Sequence, residues 1–124
     1  MNMGRVVHFE IAAQDAKRAT DFYEKVFNWK MIEAMPNEYW LVKTGEDNEP
    51  GIDGAIRKTT DSIYKGIKSF VCTIQVKNLV TARRKVKKAG GMLETEIMPV
   101  PGIGHFCYCK DTEGNTFGML QTAG

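Results

Sequence analysis

The strongest constraint on the fold of this chain is an internal repeat, because its two halves carry the same landmarks at a nearly constant spacing. Three pairs of landmarks recur in this way: Ile11 and Val76 at 65 residues, Met35-Pro36 and Met98-Pro99 at 63, and Gly54-Ala55-Ile56 and Gly118-Met119-Leu120 at 64. Such a steady spacing indicates a duplicated unit. A half of about 60 residues would leave one face of its sheet uncovered, so we expect the two halves to share one core.

Each half predicts one strand, one helix and three further strands. Asp15 precedes a run whose apolar residues recur at helical spacing, and Asn78 precedes the corresponding run in the second half. Gly90-Gly91 is predicted to end the second helix. The other runs are rich in β-branched and aromatic residues and are bounded by Gly and Pro. The predicted strands are residues 5–11, 29–35, 39–44, 54–57, 70–76, 92–98, 105–110 and 116–121.

Composition excludes several classes of protein. The chain is 43% hydrophobic and 26% charged, which are globular values, and its formal net charge is only +2. The basic residues at 81–88 follow the polar side of an amphipathic helix, so we interpret them as a solvated face and expect no nucleic-acid partner. No apolar run is long enough for a signal peptide or a membrane span. We therefore expect a cytoplasmic protein without a membrane partner.

The three cysteines are expected to be reduced thiols. An odd number of cysteines in a chain without an export signal argues against a disulfide framework. Cys107 and Cys109 alternate with aromatic residues and share one face of a predicted strand. Since a lone C-x-C pair is a weak metal signal, they are predicted to pack as small apolar residues beneath the second helix.

Three stretches carry a resemblance to a known family: Val6-Val7-His8-Phe9-Glu10-Ile11 with the helix that follows it, Ala89-Gly90-Gly91, and Asp111-Thr112-Glu113-Gly114-Asn115-Thr116-Phe117-Gly118. Their order and spacing resemble the vicinal oxygen chelate superfamily of glyoxalases, bleomycin- and fosfomycin-resistance proteins and extradiol dioxygenases. The resemblance implies an α+β fold in which two tandem βαβββ modules form one open, cup-shaped mixed sheet with the helices outside. We expect a single domain over 1–124, with module one at 1–58, a linker at 59–69 and module two at 70–124.

The resemblance also implies a divalent metal in the cup, held by side chains from the first and last strand of each module. Carried over to this sequence, the four ligand positions are His8, Gly54, Thr73 and Gly118. Only His8 is a strong ligand, whereas metal sites normally need at least three. A shift of two residues would bring in Glu10 or Gln75, which share the inward face with His8 and Thr73. No metal site is therefore predicted, and His8 is its only strong candidate residue.

Six residues are predicted to line the ligand site on the cup wall. His8 and Glu10 are two residues apart on one strand, where an imidazole and a carboxylate are candidate catalytic groups for proton transfer. The same two residues equally suit a solvated polar pair. Trp40 and Phe106 are placed at matching positions of the two modules and are interpreted as facing inward. The complete predicted set is His8, Glu10, Trp40, Thr73, Gln75 and Phe106.

Two classes of function follow from the resemblance. In the first, the protein binds a small, partly aromatic molecule in the cup, with a degenerate metal site, as bleomycin-resistance proteins do. In the alternative, it is a lyase, isomerase or dioxygenase-type enzyme that uses His8 and a weakly held divalent metal. An accessory domain without a small ligand is a third possibility, favoured if side chains fill the cup. A homodimer is expected, because an open cup leaves sheet edges uncovered.

Overall fold

The computed structural model describes residues 4–59, 67 and 69–123. The chain divides into two compact units, one of which is His8–Val71, while the other combines the residues before His8 with those from Cys72 onwards. Most of the predicted linker, at 60–66 and 68, lies outside the described residues. We call 6–58 the first module and 70–122 the second module. No helix of the described residues is long and apolar enough to span a membrane.

The first module has the predicted order of one strand, one helix and three strands. The elements are β1 (Val6–Ala13), α1 (Ala16–Phe27), β2 (Lys30–Met35), β3 (Tyr39–Lys43) and β4 (Gly54–Lys58). The sheet runs β2-β3-β4-β1, in which β1 and β4 are parallel and the other two pairings are antiparallel.

The second module repeats this order with one predicted strand divided in two. The elements are β5 (Phe70–Gln75), α2 (Leu79–Lys88), β6 (Met92–Leu93), β7 (Met98–Val100), β8 (Gly104–Lys110) and β9 (Thr116–Thr122). The sheet runs β5-β9-β8-β6, with β7 also paired to β8. The backbone N–H groups of Glu94 and Thr95 both donate to the Tyr108 carbonyl oxygen, at 3.0 and 3.2 Å. This irregularity interrupts the ladder, so the predicted strand 92–98 becomes β6 and β7.

Both helices begin at the predicted capping residues. The Asp15 carboxylate accepts a hydrogen bond from the Arg18 backbone N–H at 3.0 Å, and the Asn78 side chain accepts one from Thr81 at 3.0 Å. Each cap satisfies one backbone donor that the first helical turn leaves without a partner. The two capping residues are 63 positions apart.

Each helix covers one face of its own module's sheet. Under α1 the buried core contains Phe9, Ile11, Trp40, Val42 and Ile56. Under α2 it contains Leu79, Cys107, Cys109 and Met119. The predicted packing of Cys107 and Cys109 beneath the second helix is confirmed, and the three cysteines are free thiols.

Strand pairing corrects the predicted register of the repeat. Ile11 pairs with Ile56 in the first module, and Ile74 pairs with Met119 in the second. Ile11 and Ile56 belong to the core under α1, and Met119 belongs to the core under α2. The repeat therefore runs at 63 residues through both strands. The predicted match of Ile11 with Val76 is wrong by two residues. That of Gly54 with Gly118 is wrong by one, which exchanges the two faces of the sheet.

The loop before the last strand has a different length in the two modules. In the first module it spans 44–53, between β3 and β4. In the second it spans 111–115, where the Asp111 carboxylate accepts backbone hydrogen bonds from Glu113 and Asn115 at 2.8 and 2.9 Å. The strands on both sides of these loops nonetheless pair in the same register in the two modules.

Candidate ligand-binding site

A buried carboxylate lies among polar side chains on the first-module face opposite α1. Glu10 alternates along β1 with Phe9 and Ile11, which pack under α1, and it is only 5% exposed. The Tyr39 hydroxyl donates a hydrogen bond to Glu10 Oε2 at 2.9 Å. Arg57 Nη1 lies 3.9 Å from the same oxygen, and its Cζ lies 5.8 Å from the centroid of the Tyr39 ring. We call Glu10, Tyr39 and Arg57 the polar cluster.

The partners of Glu10 compensate for the burial of its charge. Taking an ionised carboxylate out of water is costly unless hydrogen bonds and an opposite charge replace its hydration. Burial raises the pKa of the Tyr39 hydroxyl, and the Glu10 charge and the hydrogen bond to Glu10 act in the same direction, while Arg57 opposes them. Tyr39 therefore stays protonated and donates. The cluster presents a fixed acceptor that can bind a donor group or take up a proton.

His8 projects from the same face of β1, two residues before Glu10, and is half-buried. Burial lowers the pKa of its imidazole, and the charges of Glu10 and Asp53 oppose that shift only in part. The imidazole is therefore neutral at neutral pH, which is the form that binds a metal or accepts a proton. The structure thus brings together the two predicted catalytic candidates, His8 and Glu10.

In the second module, aromatic rings occupy the face opposite α2. The Phe106 and Tyr108 rings are 4.7 Å apart in an edge-to-face arrangement. The Phe106 ring lies directly over Gly118, where an added Cβ would meet Phe106 Cε2 at 2.8 Å and Thr73 Oγ1 at 3.1 Å. Tyr108 and Thr73 are 3% and 2% exposed, so this surface is closely packed around Gly118.

The prediction that Trp40 lines the site is wrong. Trp40 is 6% exposed and belongs to the core under α1, together with Ile56, its partner on β4. Register explains the error, because Ile56 and Met119 are counterparts and pair with Trp40 and Cys107 respectively. The counterpart of Trp40 is therefore Cys107, whereas Phe106 corresponds to Tyr39.

The two remaining predicted residues, Thr73 and Gln75, lie on β5. They pair with Gly118 and Leu120 of β9, on the face opposite α2. The Gln75 side-chain amide donates to the Thr122 hydroxyl at 3.3 Å. Both side chains are therefore in the second module, with Phe106, while His8 and Glu10 are in the first.

A family model matches almost the whole length of the chain. It describes the Glyoxalase/Bleomycin resistance protein/Dioxygenase superfamily, and it matches residues 5–119. The chain belongs to this superfamily. A glyoxylase-like domain-containing protein of Didymella fabae is 27% identical to it, over 98% of this chain and 96% of that protein. A lactoylglutathione lyase of Escherichia coli O157:H7 is 25% identical, over 94% of this chain and 92% of that protein.

Solved structures show the same fold. A hypothetical protein of Bacillus halodurans superposes with a TM-score of 0.72 at 16% identity, over 99% of this chain and 97% of that one. A Streptomyces coelicolor methylmalonyl-CoA epimerase variant, in complex with 2-nitronate-propionyl-CoA, superposes with a TM-score of 0.72 at 13% identity, over 98% and 96% of the two chains. These likenesses confirm the predicted α+β class of this superfamily member.

The residues of this superfamily member do not fit the divalent metal that the family resemblance implies. With the repeat at 63 residues, the counterpart of His8 is Val71 and the counterpart of Gly118 is Ala55; Val71 and Ala55 replace Thr73 and Gly54 in the predicted ligand set. Val71 and Ala55 are 2% and 0% exposed and have no donor atoms in their side chains. Within residues 4–59, 67 and 69–123, no three His, Cys, Asp or Glu side chains are grouped to hold a metal ion. His8 remains one donor among four positions.

Sequence reasoning missed two members of the polar cluster, Tyr39 and Arg57. They face each other in the β3–β4 register, Tyr39 on the strand opposite Arg57. Alternation along β3 places Tyr39 and Trp40 on opposite faces, so the choice of Trp40 excluded Tyr39. The sequence did contain a signal for them: Tyr39 adjoins Trp40, and Arg57 adjoins Ile56. Neighbours of a core residue along a strand point to the opposite face of the sheet.

Proposed function

We propose that this protein binds a small, partly aromatic molecule without the help of a metal. The observation that carries the proposal is the Phe106 ring over Gly118, together with the apolar side chains of Ala55 and Val71. A carboxylate side chain at position 118, one of the four expected ligand positions, would need the space that the Phe106 ring occupies. In the first module, the polar cluster and His8 supply hydrogen-bonding groups for such a ligand.

The proposal is tested first on the metal. Protein purified without an affinity tag is expected to contain well under one equivalent of divalent metal, and its melting temperature is expected to be unchanged by a chelator. Titration of Zn²⁺ or Ni²⁺ is expected to show only the weak binding of a single imidazole, since tight zinc sites use three or four ligands. One tightly bound ion per chain, lost in His8→Ala, would contradict the proposal.

A thermal-shift screen of aromatic acids, amides and alcohols then tests ligand binding. A ligand that binds the folded state raises the melting temperature by mass action. Glu10→Gln and Tyr39→Phe are expected to weaken the response to hits, and Val80→Ser on α2 serves as the control. His8→Ala is expected to change ligand affinity and to leave the protein folded.

A metal-dependent lyase, isomerase or dioxygenase is the second candidate function. It is favoured by His8, a good metal ligand, and by relatives named lactoylglutathione lyase. Metal-supplemented protein that forms lactoylglutathione, with loss of that activity in His8→Ala, would establish it in place of the binding function.

We also propose that the protein is a homodimer. Strand β2 forms an edge of the sheet, and its last residue, Met35, is 54% exposed. Exposed edges of this kind are commonly covered by a second copy. Sedimentation velocity is expected to give twice the mass of one chain, and a single-chain mass at micromolar concentration would contradict the dimer.

A further inference from the structure

A straight row of side chains crosses the first-module sheet from the polar cluster to the edge strand. Glu10 pairs with Ala55, Ala55 with Leu41, and Leu41 with Ile32. Since paired residues point to the same face, these four side chains lie side by side on the face opposite α1; we call them the Glu10 row. Neighbouring strands are about 4.8 Å apart, so the row is about 14 Å long.

Exposure rises along the Glu10 row from one end to the other. Glu10 and Ala55 are 5% and 0% exposed, whereas Leu41 and Ile32 are 43% and 63% exposed. The row therefore joins a buried carboxylate to a pair of exposed aliphatic side chains. The row thus offers apolar surface beside hydrogen-bonding groups, which is the combination that small-molecule sites use.

Basic residues flank the aliphatic pair on both sides. Two residues beyond it in register, Lys43 of β3 pairs with Lys30 of β2, and both share its face by alternation along their strands. On the other side lies Arg57, opposite Tyr39. Two acidic groups oppose these cations: Glu10 is 3.9 Å from Arg57, and Asp47 is 2.9 Å from Lys43.

The two ion pairs differ in how easily a ligand could exchange with them. Glu10 is buried and also accepts a hydrogen bond from Tyr39, so its pairing is fixed. Asp47 is 93% exposed, and an exposed pair of this kind contributes little to stability. A ligand anion can therefore replace Asp47 beside Lys43 at small cost.

We infer that the exposed end of the Glu10 row binds an amphipathic organic anion. Its aryl or alkyl body lies against Leu41 and Ile32, and its carboxylate or sulfonate lies beside Lys30 and Lys43. This names the ligand class for the proposed binding function, on which it rests. The occupant is a small molecule, because the aliphatic pair is short and its cationic border matches a single acidic group.

The test uses two fluorescent probes that differ only in the acidic group. They are 1-anilinonaphthalene-8-sulfonate and N-phenyl-1-naphthylamine, which has the same rings without the sulfonate. The sulfonate probe is expected to bind about tenfold more tightly, as two surface charge pairs of about 0.7 kcal/mol each would give. Its affinity is expected to fall with added salt, while that of the neutral probe does not.

Variants of the row assign the binding to these residues. Leu41→Ser is expected to weaken both probes about fivefold, because it removes apolar contact area. Lys30→Met with Lys43→Met is expected to weaken the sulfonate probe about tenfold and to leave the neutral probe unchanged. The matched controls are Val80→Ser and Lys85→Met on α2, and Phe22→Ser, which removes an exposed ring of α1; none is expected to change the affinity by more than about twofold.

Three results would overturn the inference. If both probes bind equally tightly, or if Leu41→Ser leaves them unchanged, the exposed end of the Glu10 row is not an anion site. If Leu41→Ser instead converts a dimer into monomers in sedimentation velocity, this face is a contact between copies. None of these results refutes the proposed binding function, which fails only if the metal titration finds a tight site or the wider screen finds no ligand.

Discussion

The two modules have the same strand pairings but opposite chemistry on the face that their helices leave free. Four polar positions of the first-module site are occupied by apolar or smaller side chains in the second module. The pairs of counterparts are His8 and Val71, Glu10 and Thr73, Tyr39 and Phe106, and Arg57 and Leu120. The comparison teaches that one duplicated scaffold can support an electrostatic site in one copy and a packed aromatic surface in the other.

The two surfaces are therefore stabilised by different interactions: hydrogen bonds and charge in the first module, and steric fit in the second. In the first module, Glu10 is stable in its buried position because Tyr39 and Arg57 replace its hydration. In the second, Phe106 can lie against the sheet because Gly118 has no side chain. The first surface should fail when a hydrogen-bonding partner is removed, and the second when volume is added.

The largest effect is expected from adding a methyl group to the glycine of each last strand. The Cβ of Gly54→Ala would collide with the Phe9 backbone oxygen and lie 2.7 Å from its ring, whereas that of Gly118→Ala would meet mainly the movable Phe106 ring. We expect losses of about 3 kcal/mol for Gly54→Ala and about 1–2 kcal/mol for Gly118→Ala in urea unfolding.

Double variants sharpen this contrast. Phe106→Leu combined with Gly118→Ala is expected to cost less than the sum of the single losses, because the shorter side chain makes room. Phe9→Leu combined with Gly54→Ala is expected to recover less, since the Phe9 backbone oxygen stays in place. Equal relief in both modules would break the comparison.

A smaller effect is expected from removing the hydroxyl of Tyr39. Tyr39→Phe deletes a hydrogen bond to a buried carboxylate, which is expected to cost about 2 kcal/mol in urea unfolding. In the Glu10→Gln background the same change is expected to cost about 1 kcal/mol less, because the acceptor no longer carries a charge. A loss that does not depend on Glu10 would show that the hydroxyl acts elsewhere.

The smallest effect is expected from the titration of His8. Burial lowers its pKa below the ordinary value of 6.5, so the unfolded state takes up a proton before the folded state does. The contribution of His8 to stability is full above that value and is lost as the pH falls below it towards the folded pKa. His8→Gln is expected to have a smaller drop in melting temperature between about pH 7.5 and pH 5.5 than the parent protein. A drop of equal size in both proteins would show that His8 does not titrate in this way.

The helices and the strand order were predictable from sequence because their signals are local. Asp15 and Asn78 are capping residues next to runs of helical periodicity, and both caps form as predicted. Phe106, Glu10 and His8 were correctly placed away from the helices, since alternation along one strand determines which residues share a face.

The full site was not predictable, because its composition depends on register between strands. A strand exchanges its two faces when its alignment moves by one residue. Matching Gly54 to Gly118 is a misalignment by one residue, and matching Trp40 to Phe106 is another. Both Trp40 and Tyr39 suit a strand, and only pairing with Ile56 and Arg57 places Trp40 in the core and Tyr39 in the polar cluster.

The unequal loops at 44–53 and 111–115 show where this architecture tolerates changes of length. A one-residue insertion within a strand would move its core side chains to the opposite face of the sheet. These loops differ in length, yet the strands beside them pair in the same register in both modules. The Asp111 turn is held by hydrogen bonds among its own residues, since its carboxylate accepts from the backbone N–H groups of Glu113 and Asn115. This turn is therefore a candidate for grafting between β3 and β4 in place of 44–53. Such a graft would shorten the first module, and the loop it replaces is a candidate site for circular permutation.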